Sequence, residues 1–330
     1  MSSNRSDLTQ KLLDWYDKNA RQMPWRFKGA APDPYPVWIS EIMLQQTTVA
    51  TVYDYFLRWM EKFPTLEALA KANIDDVLHA WQGLGYYTRA KKLHECACVL
   101  MEKYAGKFPT KREELLKLPG IGPYTASSIC AFAFNQPETV VDGNVIRVIA
   151  RLYGITKEVD KDIIYPLAQK LTSRTCGADY ASAIMDLGAT ICKPQTPLCL
   201  NCPWCKECIA RQNGIQNEIP KIKKLQKRKA SGSIFLAFDD KGALLLTKRD
   251  KGLLSGLFEF PWNIDGIDPP FKANWKKTSK TVHHVFTHID YTADIYTAHN
   301  VKQEGLFVQP VELKNYALST LMKKVVKKAI

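Results

Sequence analysis

At 330 residues the chain is too long for one ordinary core and should divide into two or three domains. Its 46% hydrophobic and 11% aromatic content excludes a disordered protein, and no apolar run reaches the roughly 18 residues a membrane span needs. The opening MSSNRSDLTQ lacks the apolar core of a secretory signal, so an intracellular protein is expected. A net charge of +13 favours a polyanionic partner, nucleic acid first, and nine cysteines in that compartment point to metal or redox chemistry rather than a disulfide scaffold.

Taken in order, Asp7–Asn19 places Leu8, Leu12 and Trp15 or Tyr16 on one helical face, with Asp7 as candidate cap. Met23-Pro24-Trp25-Arg26 and a Pro- and Gly-containing loop up to Pro36 follow. The helical period returns from Val37 to Phe63, and amphipathic segments recur over Thr65–Ala72, Ile74–Gln82, Thr88–Tyr104 and Lys111–Lys117. No strand alternation is visible before residue 230, which predicts an all-α bundle. Residues 145–190 continue as helices, a cysteine-rich loop follows, and Pro220–Ala230 (PKIKKLQKRKA) reads as an exposed basic linker. Beyond it Ser233–Phe238 and Ala243–Lys248 read as strands joined by the hairpin-forming Asp239-Asp240-Lys241-Gly242. Thr281–Phe286 and Tyr291–Thr297 are further strand candidates, and Leu318–Ala329 is a basic amphipathic helix. The C-terminal hundred residues thus form a separate α+β domain.

Four stretches carry chemistry. Leu118-Pro119-Gly120-Ile121-Gly122-Pro123 is a Gly-rich turn before a helix, where backbone N–H groups can hold a phosphate without reading sequence. Asp142, after the β-branched Thr139-Val140-Val141, is either a helix cap or a carboxylate placed to stabilise a sugar oxocarbenium ion; only a partner acid separates the two. Glu41 is the best partner. It is the one charge in Trp38–Leu44, so desolvation should raise its pKa towards general-acid use, unless Arg26 or Arg147 pairs with it. Two carboxylates in unlike surroundings are what glycosidic hydrolysis requires. Gln45-Gln46-Thr47 and Gly83-Leu84-Gly85-Tyr86-Tyr87 can supply wedges for the gap left by a flipped nucleotide, although the tyrosines also suit a core. Finally, Cys192-x6-Cys199-x2-Cys202-x5-Cys208 calls for a metal. Spacing leaves zinc and iron–sulfur open, and also leaves a second register through Cys205.

Together the hairpin, the Asp about twenty residues beyond it and the cysteine loop resemble the endonuclease III superfamily of helix-hairpin-helix DNA glycosylases. Within it, WISEIMLQQT, GLGYYTRAKKLH, LPGIGPYTA, VVDGNVIRV and MDLGATIC look like the MutY-type adenine DNA glycosylases, from about Trp15 to Cys208. A second likeness, through LLLTKRDKGLLSGLFEFP and HHVFTH, is to the Nudix-like module of that type. The fold implied is a mostly α catalytic region over 1–219, with a six-helix core at about 30–139 and residues 1–29 packing with 140–219. The iron–sulfur loop 192–208 belongs to it, the basic linker is 220–230, and a small α+β Nudix-like domain occupies 231–330.

The resemblance implies that Cys192, Cys199, Cys202 and Cys208 bind a [4Fe-4S] cluster, with Cys205 a bystander. It further implies that Glu41 protonates adenine, Asp142 stabilises the oxocarbenium ion and Asn144 helps hold the groups. Gln46, Tyr86 and Leu44 would enter the base stack, while Gly120, Gly122 and Arg26 are the candidate backbone contacts. Tyr124 stands where bifunctional relatives carry a Schiff-base lysine, which implies a monofunctional enzyme. Phe286-Thr287-His288 stands where the type carries Phe-Ser-His for 8-oxoguanine recognition, and no Glu-rich Nudix hydrolase box is present. The expected partner is double-stranded DNA with 8-oxoguanine:A or G:A mispairs, met by a cytoplasmic, nucleoid-associated monomer of bacterial type with no membrane attachment. The competing expectations are a pyrimidine-damage glycosylase with lyase activity and a non-catalytic iron–sulfur DNA-binding protein.

Overall fold

The computed structural model describes residues 3–26, 32–221 and 226–330, with side chains from Asp7 onward. Parts of the loop expected up to Pro36 and of the basic linker lie outside the described residues, at 27–31 and 222–225. The chain forms two compact units, one of residues 1–70 with 96–223 and one of 71–95 with 224–330.

The helices in chain order are α1 (Ser3–Asn19), α2 (Pro34–Leu44), α3 (Val49–Lys62), α4 (Leu66–Lys71), α5 (Ile74–Ala80) and α6 (Thr88–Tyr104). They continue as α7 (Arg112–Leu115), α8 (Pro123–Phe134), α9 (Gly143–Leu152), α10 (Lys161–Leu171), α11 (Gly177–Asp186) and α12 (Ile209–Gln212). In the first unit α2 is central, packed against α3 and α8, while α11 packs on α1, α8 and α9. α2 can take this place because its sequence, PYPVWISEIML, is apolar on nearly every face; Tyr35 and Val37 through Met43 are all buried. Asp33 caps it by accepting from Tyr35 N, with Pro34 supplying a preset φ at the first position. The expected helical run from Val37 to Phe63 is in fact two helices. Gln45 turns extended, Gln46 adopts a left-handed φ of 60°, and Thr48 caps α3, accepting from Thr51 N. The start of α1 also differs from expectation: the helix begins at Ser3, so Asp7 lies inside it and pairs with Lys11 one turn on. A second core, of Leu12, Tyr16, Val148, Ile149, Ile164, Ile184, Leu187 and Trp204, joins α1 to α9, α10 and α11.

Among the described residues the second unit carries seven strands: β1 (Arg228–Ala237), β2 (Leu244–Lys248), β3 (Phe258–Glu259), β4 (Trp262–Asn263), β5 (Lys276–Val285), β6 (Ile289–Ala298) and β7 (Leu306–Val308). One sheet runs β4-β1-β6-β5 and the other β3-β2-β7. β1 and β6 are parallel over their whole length, from Arg228 opposite Ile289 to Ala237 opposite Ala298. The hairpin expected between β1 and β2 is therefore not a two-strand ladder. The Asp239–Gly242 turn, with Asp239 accepting from Lys241 N and Ala243 N, carries the chain from one sheet to the other. β1 also starts at Arg228, inside the segment expected to be linker. The core between the sheets is Ile234, Leu236, Leu244, Leu246, Phe260, Tyr291 and Ile295, closed by Leu321, Met322 and Val325 of α13 (Thr320–Ala329). α5 and the start of α6 belong to this unit. Gln82 donates to the Leu318 carbonyl at 2.9 Å, Lys91 donates to Ser255 at 2.9 Å and Lys248 pairs with Asp75 at 2.6 Å. Among the described residues no helix is long and apolar enough to cross a membrane.

Candidate active site and DNA interface

Glu41, Leu44, Gln46, Arg26, Tyr124, Asp142 and Asn144 come from four separate stretches of sequence, yet all line one cavity of about 1270 Å³ in the first unit. That exceeds the ~300–1,000 Å³ typical of a small-molecule pocket, leaving room for a nucleotide with its sugar and phosphate. Glu41 is only 7% exposed. Burial pushes its carboxyl up to about 7, with the Asp142 charge acting in the same sense; the Ser128 and Tyr124 hydroxyls and the Arg26 charge hold the rise back. Arg26 does not pair with it. Its guanidinium is committed to Asp186, 2.7 Å away and fully buried, where Arg21 binds the other carboxylate oxygen at 2.7 Å. Burial works against ionisation of Asp186, but these two arginines still hold it below the usual carboxylate range.

Asp142 does cap α9: Oδ1 accepts from Val145 N at 2.8 Å, while Oδ2 accepts from Asn144 Nδ2 at 2.9 Å. The cap and the cavity position hold together, so the bland reading does not displace the chemical one. Asn144 is itself fixed. Its Oδ1 accepts from Arg147 Nη2 at 2.8 Å, and Arg147 also donates to the carbonyls of Gly188 and Cys192, each at 2.7 Å. Gly188 is needed for this approach, since a Cβ there would lie 2.6 Å from Asn144 Cβ. Tyr124 lies against both acids, and its phenol is held well above its ordinary value by burial and then by the Glu41 and Asp142 charges. Two acids result, one tuned to carry a proton near neutral pH and the other hydrogen-bonded in polar surroundings.

The turn before α8 follows α7, with Leu118 and Ile121 buried and Ile121 N closing onto the Leu118 carbonyl at 3.2 Å. Gly120 takes φ 74°, and Gly122 is the N-cap of α8, followed by Pro123. Both glycines are exposed, and neither is among the cavity-lining residues. The two wedge candidates, Gln46 and Tyr86, are exposed and share left-handed backbone, φ 60° and 48°. This conformation is costly for residues other than glycine and concentrates at working sites. Tyr86 lies in the second unit, as do Phe286, Thr287 and His288. There Phe286 N donates to the Ile289 carbonyl at 2.8 Å, so Thr287 and His288 form the exposed tip of the β5–β6 hairpin. Phe286 is anchored below, stacked on Trp262 with centroids 6.2 Å apart.

Cys192, Cys199, Cys202 and Cys208 are free thiols, all partly buried. Burial and then the neighbouring thiols, Cys192 first among them, push Cys202 up to about 12, and burial raises Cys199 and Cys208 as well. Thiols so placed deprotonate together only beside strong positive charge, which is what a thiolate-bound metal centre supplies. Among the described residues no three candidate ligands stand close enough to hold a single ion. Arg151, almost fully buried, ties the loop down by donating to the carbonyls of Lys193 at 2.6 Å and Pro194 at 2.9 Å.

Sequence reasoning missed Ser128, Arg151, Asp186 and Gly188, and saw Arg147 only as a partner for Glu41. The available signal was the Arg147/Arg151 pair, one turn apart on the Val- and Ile-rich helix that Asp142 caps.

The turn before α8 and a cavity that holds two unlike acids are set in a helical unit, and comparison with known proteins gives the class of enzyme. Residues 39–174 match the HhH-GPD superfamily of base excision DNA repair proteins, and residues 233–328 match the NUDIX domain. A thermostable thymine-DNA glycosylase of known structure superposes with a TM-score of 0.59 at 29% identity, covering 64% of this chain and 100% of that one. Endonuclease III in a non-covalent DNA complex gives 0.55 at 22% identity, covering 66% and 99%, a likeness of fold. The adenine DNA glycosylase of Rattus norvegicus is 34% identical over 98% of this chain and 78% of its own length. That of Buchnera aphidicola subsp. Schizaphis graminum is 35% identical over 82% and 78%. The chain belongs to the MutY-type adenine DNA glycosylases, base excision repair hydrolases that act on N-glycosyl bonds of DNA.

Proposed function

We propose that this enzyme removes adenine paired with 8-oxoguanine or guanine in double-stranded DNA, acting as a monomer and leaving an abasic site with the strand intact. The observation that carries the proposal is the meeting in one cavity of Glu41, raised to about 7, with the hydrogen-bonded carboxylate of Asp142. Protonated Glu41 gives its proton to N7 of the flipped adenine, which makes the base a neutral leaving group as the C1′–N9 bond breaks. Asp142 faces the positive sugar that develops, and Asn144, held by Arg147, keeps that carboxylate and the attacking water in place. Gly120 and Gly122 present backbone N–H groups to a phosphate, and Arg26 adds charge at the cavity wall. Gln46, Leu44 and Tyr86 fill the gap in the stack, while Phe286, Thr287 and His288 read the opposite base.

Cys192, Cys199, Cys202 and Cys208 would hold a [4Fe-4S] cluster, which supplies charge and cross-linking to the loop that Arg147 and Arg151 grip. Cys199→Ser is expected to lower bound iron and the visible iron–sulfur absorbance; the same substitution at Cys205 should leave both unchanged. Equal iron loss in the two variants would move the ligand set to the alternative register.

The test of function is a single-turnover assay on an 8-oxoguanine:A duplex. Adenine release with strand scission only after alkali is the expected result. Tyr124 offers no amine for a Schiff base. Borohydride should therefore trap no stoichiometric protein–DNA adduct; a trapped adduct would return the enzyme to the lyase class.

A further inference from the structure

The Tyr86 hydroxyl lies 2.7 Å from Thr287 Oγ1, joining the wedge loop to the tip of the β5–β6 hairpin within one compact unit. Both ends of this hydrogen bond are separately braced. Under Tyr86, the Arg89 guanidinium sits 5.4 Å from the phenol ring and 5.2 Å from the Trp81 ring, and it donates to the Leu84 carbonyl at 3.2 Å. Under the hairpin, Phe286 rests on Trp262. The Trp262 indole N–H donates to buried Glu259 at 2.8 Å, which Arg249 Nε holds through both oxygens at 2.7 and 2.8 Å. A hydrogen bond between two exposed groups costs side-chain freedom, and bracing on both sides removes most of that cost beforehand.

We infer that the Tyr86 hydroxyl is a specificity-determining group: it positions the Thr287 hydroxyl, so that the ring fills the stack while its oxygen sets the reading of the opposite base. This rests on the assignment of Phe286-Thr287-His288 as the recognition tip. A phenol is the stronger acid of the two hydroxyls, so Tyr86 donates and Thr287 accepts. Thr287 is left with one lone pair and its own hydrogen, fixed in direction, for a base. 8-Oxoguanine carries an N–H at position 7 where guanine carries a lone pair, so a hydroxyl of fixed direction distinguishes the two and a freely turning one does not. The tyrosine does not merely cap the hairpin: 44% of its surface remains exposed, open to DNA.

Tyr86→Phe keeps the ring and the Arg89 contact and removes only the hydroxyl. Single-turnover rates on 8-oxoguanine:A and G:A duplexes should show the ratio of the two falling by about threefold to tenfold, the worth of one net hydrogen bond. Thr287→Ala should lower the ratio at least as far, and the double variant no further than Thr287→Ala alone, whereas Thr287→Ser should retain it. A merely structural contact would lower both rates together and leave the ratio in place. If Thr287→Ala loses the ratio and Tyr86→Phe keeps it, or if the two losses multiply, the inference is overturned and the recognition assignment stands. If Thr287→Ala combined with His288→Ala leaves the ratio unchanged, the recognition assignment itself fails, and the inference with it.

Discussion

Glu41→Gln should cut single-turnover adenine release by about 10³-fold, within the ~10²–10⁴ range for a lost general acid, while mismatch binding is largely retained. The amide keeps the size of the side chain and its hydrogen bonding towards Ser128 and Tyr124, but it has no proton to give. The same substitution should stabilise the protein in alkali. Folded Glu41 titrates at about 7 against 4.5 for the free group, so the native state holds the extra proton between those values. Any advantage of the protonated carboxyl is intact below about pH 4.5 and is lost as pH rises through about 7. Above that, the wild type carries a buried charge and the variant does not, a deficit of about 3 kcal/mol at one pKa unit per 1.36 kcal/mol. Thermal melts at pH 8 should place Glu41→Gln above wild type, with the gap closing towards pH 4. Wild-type turnover should fall as pH rises through about 7, where the native state loses the Glu41 proton. A variant that keeps its rate would remove Glu41 as the acid; equal melting temperatures at both pH values would contradict its raised pKa.

Asp142→Asn separates the two jobs of that residue. Asparagine caps helices about as well as aspartate, so α9 keeps its acceptor for Val145 N; only the hydrogen bond from Asn144 Nδ2 is lost, and stability should fall by about 1 kcal/mol. The charge proposed to face the sugar is lost. Adenine release should then drop by about 10³-fold, the upper part of what removing one preorganised electrostatic group costs. Folding measured by denaturant midpoint, set beside the single-turnover rate, decides the matter. A variant as active as wild type would reduce Asp142 to a cap.

Much of this was legible in residue order because the relevant signals are local. α2 announces Glu41 through a run with no other charge, and the Leu118–Pro123 turn is written in its glycines and prolines. The cysteine spacing needs no fold to be read. What escaped the sequence is long-range. Asp186 receives Arg21 and Arg26 from the other end of the unit, and Gly188 matters only because Asn144 packs on it. The break at Gln46 was hidden because Gln45-Gln46-Thr47 contains no Gly or Pro; a left-handed glutamine leaves no compositional mark. Likewise, the parallel β1–β6 pairing cannot be seen where a hairpin-forming turn sits between β1 and its next neighbour in sequence.

The buried Asp186 has a consequence for how the enzyme comes into being. The wall of the cavity formed by Arg21, Met23, Trp25 and Arg26 is pinned by a carboxylate near the far end of the same unit. During synthesis those residues leave the ribosome first and wait for about 160 further residues before their counter-charge arrives. Any fragment that stops short of Asp186 therefore lacks the counter-charge that holds Arg21 and Arg26 at the cavity wall.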